Sequence, residues 1–550
     1  MKQIALKYRL SILFLALTLL YGGIIIRLYL IQITYSSFFQ SLGDQQYLMN
    51  VIKTPHRALI YDRHCIPLAR NKFFTSAFII PLRLRQKDAL ISFLTTHFPE
   101  AAQRLKEHPK APFLYIRRRI SEQEERMLRS SELVDILFLE EPGRWYPQES
   151  AAPLVGLTTI DNEGSAGIEL LYNEQLRGVA SLVTLKRDAR QGHHFYFERH
   201  LTKAGQEGTP VTLTIDSTLQ FLTHEAVKSS VETWNATEGM AITIDPATGD
   251  ILAMVSYPCC DPNDTRHLIL EHLNNRVVTE TYEFGSVMKV FLALAALAEE
   301  VVTLDTPFNC YNTKHIVLGG MKLSTWHEHG ILPFTEVIAK SNNIGTAQVA
   351  LLLQENLYHH YKRCGFGEKR GNFMGEQAGH ITAPKTWSSQ SLASLSYGYE
   401  IRATLLQLAC ALCMIARKGI HVTPRLIMTD TPQPDHHVYS PDVIEKLEKI
   451  LTHTVEEGTA FRARIPGCHI MGKTGSANLL VDGSYDPHKS IFTFAGIITH
   501  NTYQRVIVVC IKEPQQHGIF SSQVAVPLFK KIAEATLIHE GIIPSFERTA

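Results

Sequence analysis

Cysteine is sparse, nine in 550 residues and an odd count. No paired C-x-x-C spacing exists, which excludes a zinc ribbon or finger and predicts no obligatory disulfide framework. The single C-x-x-C, Cys410 with Cys413, lies inside the apolar run LLQLACALCMIA and reads as core packing on a helix. A surplus of either charge is also missing, with 54 Lys and Arg against 53 Asp and Glu. Without a basic excess there is no electrostatic case for nucleic acid as a partner. No Gly-rich phosphate loop is present. His327-Glu328-His329 and the pairs His193-His194, His359-His360 and His436-His437 lack the i, i+4 spacing with a carboxylate that a zinc helix needs. No metal is expected.

What is there reads as globular: 45% hydrophobic and 19% charged residues, in a chain long enough for two or three domains. Lys2, Lys7 and Arg9 precede an uncharged run from Leu10 to Ile26, at the short end of what spans a bilayer. Arg27 then interrupts, where a long cationic side chain can snorkel to the interface. LYLIQI resumes the apolar pattern, which predicts a helix continuing past the membrane. No A-x-A cleavage site follows, favouring an uncleaved anchor over a removable signal. The basic residues concentrate before the span, which predicts a cytoplasmic N-terminus and one exported body.

Residues 35–205 carry short β-branched and aromatic stretches split by Pro and Gly, plus one charged helical segment, SEQEERMLRSS. This predicts an elongated mixed module, and spacing alone names no fold. From 206 to 550 the pattern changes. VTLTID, GMAITIDPATGDILAMVSYP, IFTFAGIITH and RVIVVCIKE read as strands, the second as a hairpin turning at Pro246–Gly249. VMKVFLALAALAEE and TLLQLACALCMIARKG between them read as helices. Strands at both ends with helices between predict one α/β domain whose sheet is closed by both chain ends. TDTPQPDHH reads as a surface loop.

Three short motifs carry chemistry. Ser286 is the one serine with lysine at +3, Lys289, and the apolar pattern after it predicts a helix starting there. Side chains three apart share a helix face, so a partly neutral lysine reaches the hydroxyl as a base. Burial or a nearby positive charge would make it so. Ser341-Asn342-Asn343 gives an S-x-N before an apolar helical pattern, and Lys473-Thr474-Gly475-Ser476 gives the one K-[ST]-G, bordered by a strand. Each has a plain structural reading: a helix-start serine with a surface lysine, an N-cap at Ser341, a strand-edge turn. Their conjunction in this order is the set found in penicillin-binding proteins and serine β-lactamases.

On these residues the chain resembles a class B penicillin-binding protein along nearly its whole length. YEFGSVMK resembles the family's Y-E-P-G-S-x-x-K, and GKTGSA its G-K-[TS]-G-[TS]-A; RALIYDRHCIPLARN, GSAGIELLYNEQLRG, LTIDSTLQ, YGYEIRATLLQLA and the GTA before K-T-G are similar too. The resemblance implies an antiparallel sheet flanked by helices, a pedestal of the dimerisation type at 35–205, an anchor at 1–34 and a transpeptidase domain at 206–550. It implies Ser286 as nucleophile, Lys289 as base, Ser341 as proton relay to the departing D-alanine, and Asn343 as partner of substrate and lysine. Lys473 would keep Lys289 neutral, and Thr474, Gly475 and Ser476 would form the carboxylate-binding strand. Backbone N–H groups of Ser286 and Ser476 would make the oxyanion hole. No cofactor is implied. Partners would be stem peptides ending in D-Ala-D-Ala, β-lactams, a membrane glycan polymerase and division proteins, at the bacterial inner membrane with a periplasmic catalytic domain. YEFG and Val290 resemble the septal more than the elongation type. The competing readings are a hydrolase of D,D-carboxypeptidase or β-lactamase type and a non-catalytic β-lactam-binding scaffold. Phe284 and Asn342 depart from the family's usual proline and serine.

Overall fold

The computed structural model describes residues 2–53, 55–187, 196–431, 434–516 and 519–542. The chain divides into two compact units: Met1–Arg57 with Arg177–Thr209, and Ala58–Leu176 with Pro210–Ala550. In the first, the helix Lys2–Tyr29 runs on through a wider turn to Thr34, and Gln3–Thr34 is long and apolar enough to cross a membrane. Its large apolar side chains are exposed along the whole length, so no protein core accounts for them. An antiparallel sheet of Leu48–Lys53, Ser181–Arg187 and Tyr196–Lys203 completes this unit.

The second unit is built on a five-stranded antiparallel sheet in the order Ile251–Tyr257, Glu238–Ile244, Tyr503–Lys512, Ser484–His500, His469–Val481. Strands from both ends of the 238–512 segment pair at its centre, as the strand–helix–strand pattern predicts. Side chains alternate across a strand. Val506, Val508 and Cys510 accordingly join one core with the helices Lys289–Ala298 and Leu405–Ala416. Ile507, Val509 and Ile511 join a second core with Ser217–Thr233 and Ser521–His539. Both faces are covered, which is why this strand reads as a continuous apolar run. Every residue of Leu405–Ala416 is buried, Cys410 and Cys413 included, as a helix apolar all round must be. Each such large side chain contributes about 1.5–3 kcal/mol.

Residues 58–176 pair the strands Pro67–Ile79 and Leu137–Trp145 and pack them on helices Lys87–His97 and Pro99–Glu107. The sequence pattern does not show these two helices, since Pro99 splits them and neither is long enough to establish a period. The charged helix Glu122–Ser130 forms as predicted, opened by a capping box at Ser121. One correction concerns VTLTID: only Val211–Thr212 is a strand. Asp216 instead accepts from the Leu219 N–H and caps the helix Ser217–Thr233. The described residues of TDTPQPDHH are exposed, positions 432 and 433 lying outside the described residues.

Candidate active site

Ser286 sits on a tight 3-10 turn, Gly285–Met288, that feeds the buried helix Lys289–Ala298, so the helix proper begins at the lysine and not at the serine. Gly285 has φ +56°, the left-handed region where glycine avoids a side-chain clash. Two other glycines close on this turn. A Cβ on Gly475 would stand 2.3 Å from the Phe284 carbonyl oxygen, and one on Gly398 2.1 Å from that of Gly285. Phe284, where the family has proline, is buried against the core and anchors the turn by packing.

Lys289 is fully buried, and its Nζ donates to the Ser341 carbonyl at 2.8 Å and to Asn343 Oδ1 at 2.6 Å. In its neutral form the amine has two N–H groups, and these two acceptors take both. Its lone pair is left for a hydroxyl proton, and Ser341 Oγ lies 3.1 Å away. Burial, and after it the charge of Lys473, holds the Lys289 amine well below its ordinary range. Ser341 has φ +57°, unfavourable for a residue with a Cβ. Such strain costs on the order of 1–3 kcal/mol and persists only where the surroundings impose it. In this conformation the carbonyl and the hydroxyl of one residue reach the same amine. The next residue explains how it is held. Asn342, not Ser341, is the N-cap of the helix Asn343–Leu353, fully buried and accepting from the Gly345 N–H at 2.9 Å. Asn343 Nδ2 donates to the Ser324 carbonyl, which fixes the amide with its oxygen on Lys289.

The K-T-G stretch is not a strand-edge turn. It lies within the strand His469–Val481, Lys473 opposite Ala495 and Ser476 opposite Phe492. Lys473 is fully buried, its Nζ donates to the Thr474 carbonyl at 3.2 Å, and burial pushes its pKa down to about 7. Thr474 and Ser476, two apart on the strand, face a cavity of about 250 Å3 that Ser286 and Ser341 also line. A second cavity, of about 310 Å3, takes in Asn343 and again Ser286 and Ser476. All three motifs thus meet around one cleft.

The structure adds residues that motif reading did not single out. Thr459 Oγ1 lies 3.0 Å from Thr474 Oγ1 and lines the same cavity; the GTA stretch was its one signal. Trp326 and Phe520 line both cavities and carry no sequence signal. Glu283, beside the turn, accepts from the Glu400 N–H and the Tyr485 hydroxyl, and burial raises its pKa. Among the described residues no cluster of three or more His, Cys, Asp or Glu side chains is placed to hold a metal; His193 and His194 lie outside them.

Comparison with known proteins identifies the family. The penicillin-binding protein transpeptidase domain matches residues 239–534, and the penicillin-binding protein dimerisation domain matches residues 52–213. A probable peptidoglycan D,D-transpeptidase PenA of Neisseria meningitidis is 28% identical over 98% of this chain and 94% of its own. Peptidoglycan D,D-transpeptidase FtsI of Escherichia coli is 27% identical over 91% and 87%. Among solved structures, the transpeptidase domain of Burkholderia pseudomallei penicillin-binding protein 3 is 32% identical, with TM-score 0.55, covering 61% of this chain and 98% of that one. Penicillin-binding protein 3 of Mycobacterium tuberculosis complexed with aztreonam shares the fold, with TM-score 0.68 at 24% identity over 90% and 98%. The chain belongs to the class B penicillin-binding proteins and is a serine-type peptidoglycan D,D-transpeptidase.

Proposed function

We propose that Ser286 is the nucleophile of this transpeptidase and that the neutral Lys289 amine takes its proton as the oxygen attacks the penultimate D-alanine carbonyl of a donor stem peptide. The observation that carries this reading is the Lys289 environment: a buried amine whose two N–H groups are used on Ser341 and Asn343. Burial and the Lys473 charge hold that amine well below its ordinary range, towards the neutral form that a general base needs. The tetrahedral oxygen is held by the N–H groups of Ser286 and Ser476, each worth about 3 kcal/mol in a site of this kind. Collapse expels D-alanine, whose nitrogen receives the proton through Ser341. The amine of a neighbouring stem peptide then attacks the ester, forming the cross-link and returning the proton to Ser286. Thr474 and Ser476 meet the donor's terminal carboxylate, and the buried Lys473 helps to keep Lys289 neutral.

The same reading assigns 1–34 to a cytoplasmic tail and anchor, 35–205 to the pedestal and 206–550 to catalysis, with the N-terminus cytoplasmic and the catalytic domain exported. The matches to the dimerisation and transpeptidase families support two such parts. YEFG and Val290 favour septal over elongation synthesis, with a membrane glycan polymerase as partner. The aztreonam complex of the Mycobacterium relative supports β-lactams as acylating ligands here. Labelling with a fluorescent penicillin tests the core of the proposal. Wild type should hold a stable adduct and Ser286→Ala none; equal labelling of both removes the nucleophile. Depletion in the native cell separates the two roles, filaments indicating septal synthesis and rounded cells elongation.

A further inference from the structure

Trp326 and Phe520 meet edge to face, ring centroids 5.5 Å apart and planes at 87°. Trp326 follows the short strand Met321–Ser324, and Phe520 immediately precedes the helix Ser521–His539, so the contact joins two separate elements. Neither ring belongs to the core: Trp326 is 70% exposed and Phe520 41%. Both line each of the two cavities, and so do Ser286 and Ser476. The ring pair therefore lies where two chambers join beside the nucleophile turn.

Chambers of about 310 and 250 Å3 are small. Each alone stands at or below the floor of the ~300–1,000 Å3 that a drug-sized ligand occupies. A larger ligand has to use both, and the ring pair borders both, as Ser286 and Ser476 do. The backbone on the Phe520 side is pinned, since its N–H donates to Gln523 Oε1 and its carbonyl accepts from the Gln523 N–H. Opening is therefore a matter of side-chain rotation. For exposed rings that takes picoseconds to nanoseconds. Such a gate does not limit a rate by its speed. It lowers apparent reactivity by the fraction of time it is shut.

We propose that the Trp326–Phe520 pair is a bar across the cleft that selects acylating ligands by width. A compact ligand reaches Ser286 with the rings in contact; one carrying bulky groups on both sides of its reactive carbonyl reacts only when they part. This rests on Ser286 being the nucleophile, as proposed above. The weight of one edge-to-face contact sets the discrimination at about two- to tenfold.

The test compares second-order acylation constants of the full chain in detergent for two ligands. One is 6-aminopenicillanic acid and the other a cephalosporin with large substituents at C3 and C7. Trp326→Ala and Phe520→Ala should each speed the cephalosporin by about two- to tenfold and leave the compact penam within about twofold. The double variant should gain no more than the better single one, because a single contact is being removed. Equal acceleration of both ligands, no change with the cephalosporin, additive gains, or slower cephalosporin acylation would each overturn the bar. Slower acylation would mean that the rings hold the ligand instead of obstructing it. Acylation surviving in Ser286→Ala is a different failure, since it removes the nucleophile and leaves the width comparison standing for whichever residue reacts.

Discussion

Lys289 Nζ and Asn343 Oδ1 stand 2.6 Å apart, and the amide cannot turn over without losing its bond to the Ser324 carbonyl. Asn343 thus offers the buried amine an acceptor and never a donor. Asn343→Ala should slow acylation by penicillin about 10- to 100-fold, the weight of one hydrogen bond to an ionisable group. The melting temperature should move little. Asn343→Asp makes the opposite electrostatic change. A carboxylate beside the amine stabilises the ammonium and raises its pKa. The rising limb of the acylation rate should move to higher pH, as stopped-flow measurement across pH would show. A limb that stays in place would separate Asn343 from the ionisation of Lys289.

Lys473 carries a stability cost of its own. Burial brings its pKa to about 7 from 10.5, so between those values the unfolded chain binds the extra proton. Stability then rises with pH through that window, and the cost is fully present at and below about pH 7. Lys473→Met should stabilise the protein at pH 7 by on the order of 1–4 kcal/mol, a gain that shrinks towards pH 11. Acylation should fall in the same variant, and its rising limb should move to higher pH, because a charge that lowers the Lys289 pKa is gone. Thermal melting across pH reads the first effect. Destabilisation at pH 7 would mean that contacts of Lys473 outweigh its desolvation.

Four of the five strands of the main sheet were legible because they are long apolar runs with a clear turn at Pro246–Gly249, and Leu405–Ala416 because no polar face interrupts it; His469–Val481, which carries K-T-G, was not read as a strand. The candidate site was legible in the motifs at Ser286, Ser341 and Lys473 because the proposed acyl transfer calls for those residue types, and the fold brings the three motifs around one cleft. What remained hidden depends on contacts between distant segments. Gly398 is an ordinary glycine, and Gly475 a motif position with no visible contact, until the fold presses them on carbonyl oxygens of the 284–286 turn. The pairing of Trp326 with Phe520 joins positions almost two hundred residues apart. The helices before and after Pro99 escape because each packs through a few side chains, Leu90 and Leu94 in one and Ala101, Ala102 and Leu105 in the other.

Asn342 departs from the family's serine, yet its side chain does what a serine there could also do. It accepts from the Gly345 N–H at the start of Asn343–Leu353. Asn342→Ser should therefore preserve both stability and labelling. Asn342→Ala removes the cap and should cost about 0.5–2 kcal/mol. It should slow acylation as well, because the cap holds Ser341 at φ +57°. Melting temperature and penicillin labelling, measured together, distinguish the two. If labelling is unchanged in the alanine variant, the Ser341 conformation is held by something other than the cap.

Gly475 offers the sharpest test of how the cleft is assembled. A methyl there would approach the Phe284 carbonyl oxygen to 2.3 Å and Val287 Cγ2 to 2.6 Å. The valine can adjust, but the carbonyl is main chain, so the turn bearing Ser286 has to shift. Displacement of a reacting group by an ångström costs about a hundredfold in rate. Gly475→Ala should lose that much acylation while the sheet stays folded. Gly320 supplies the control: its φ is +83°, but an added Cβ meets nothing within 4 Å. Gly320→Ala carries backbone strain of roughly 1 kcal/mol without touching the turn. It should lower the melting temperature slightly and keep its labelling rate. Equal loss of labelling in both variants would mean that general destabilisation, and not the position of the turn, governs reactivity.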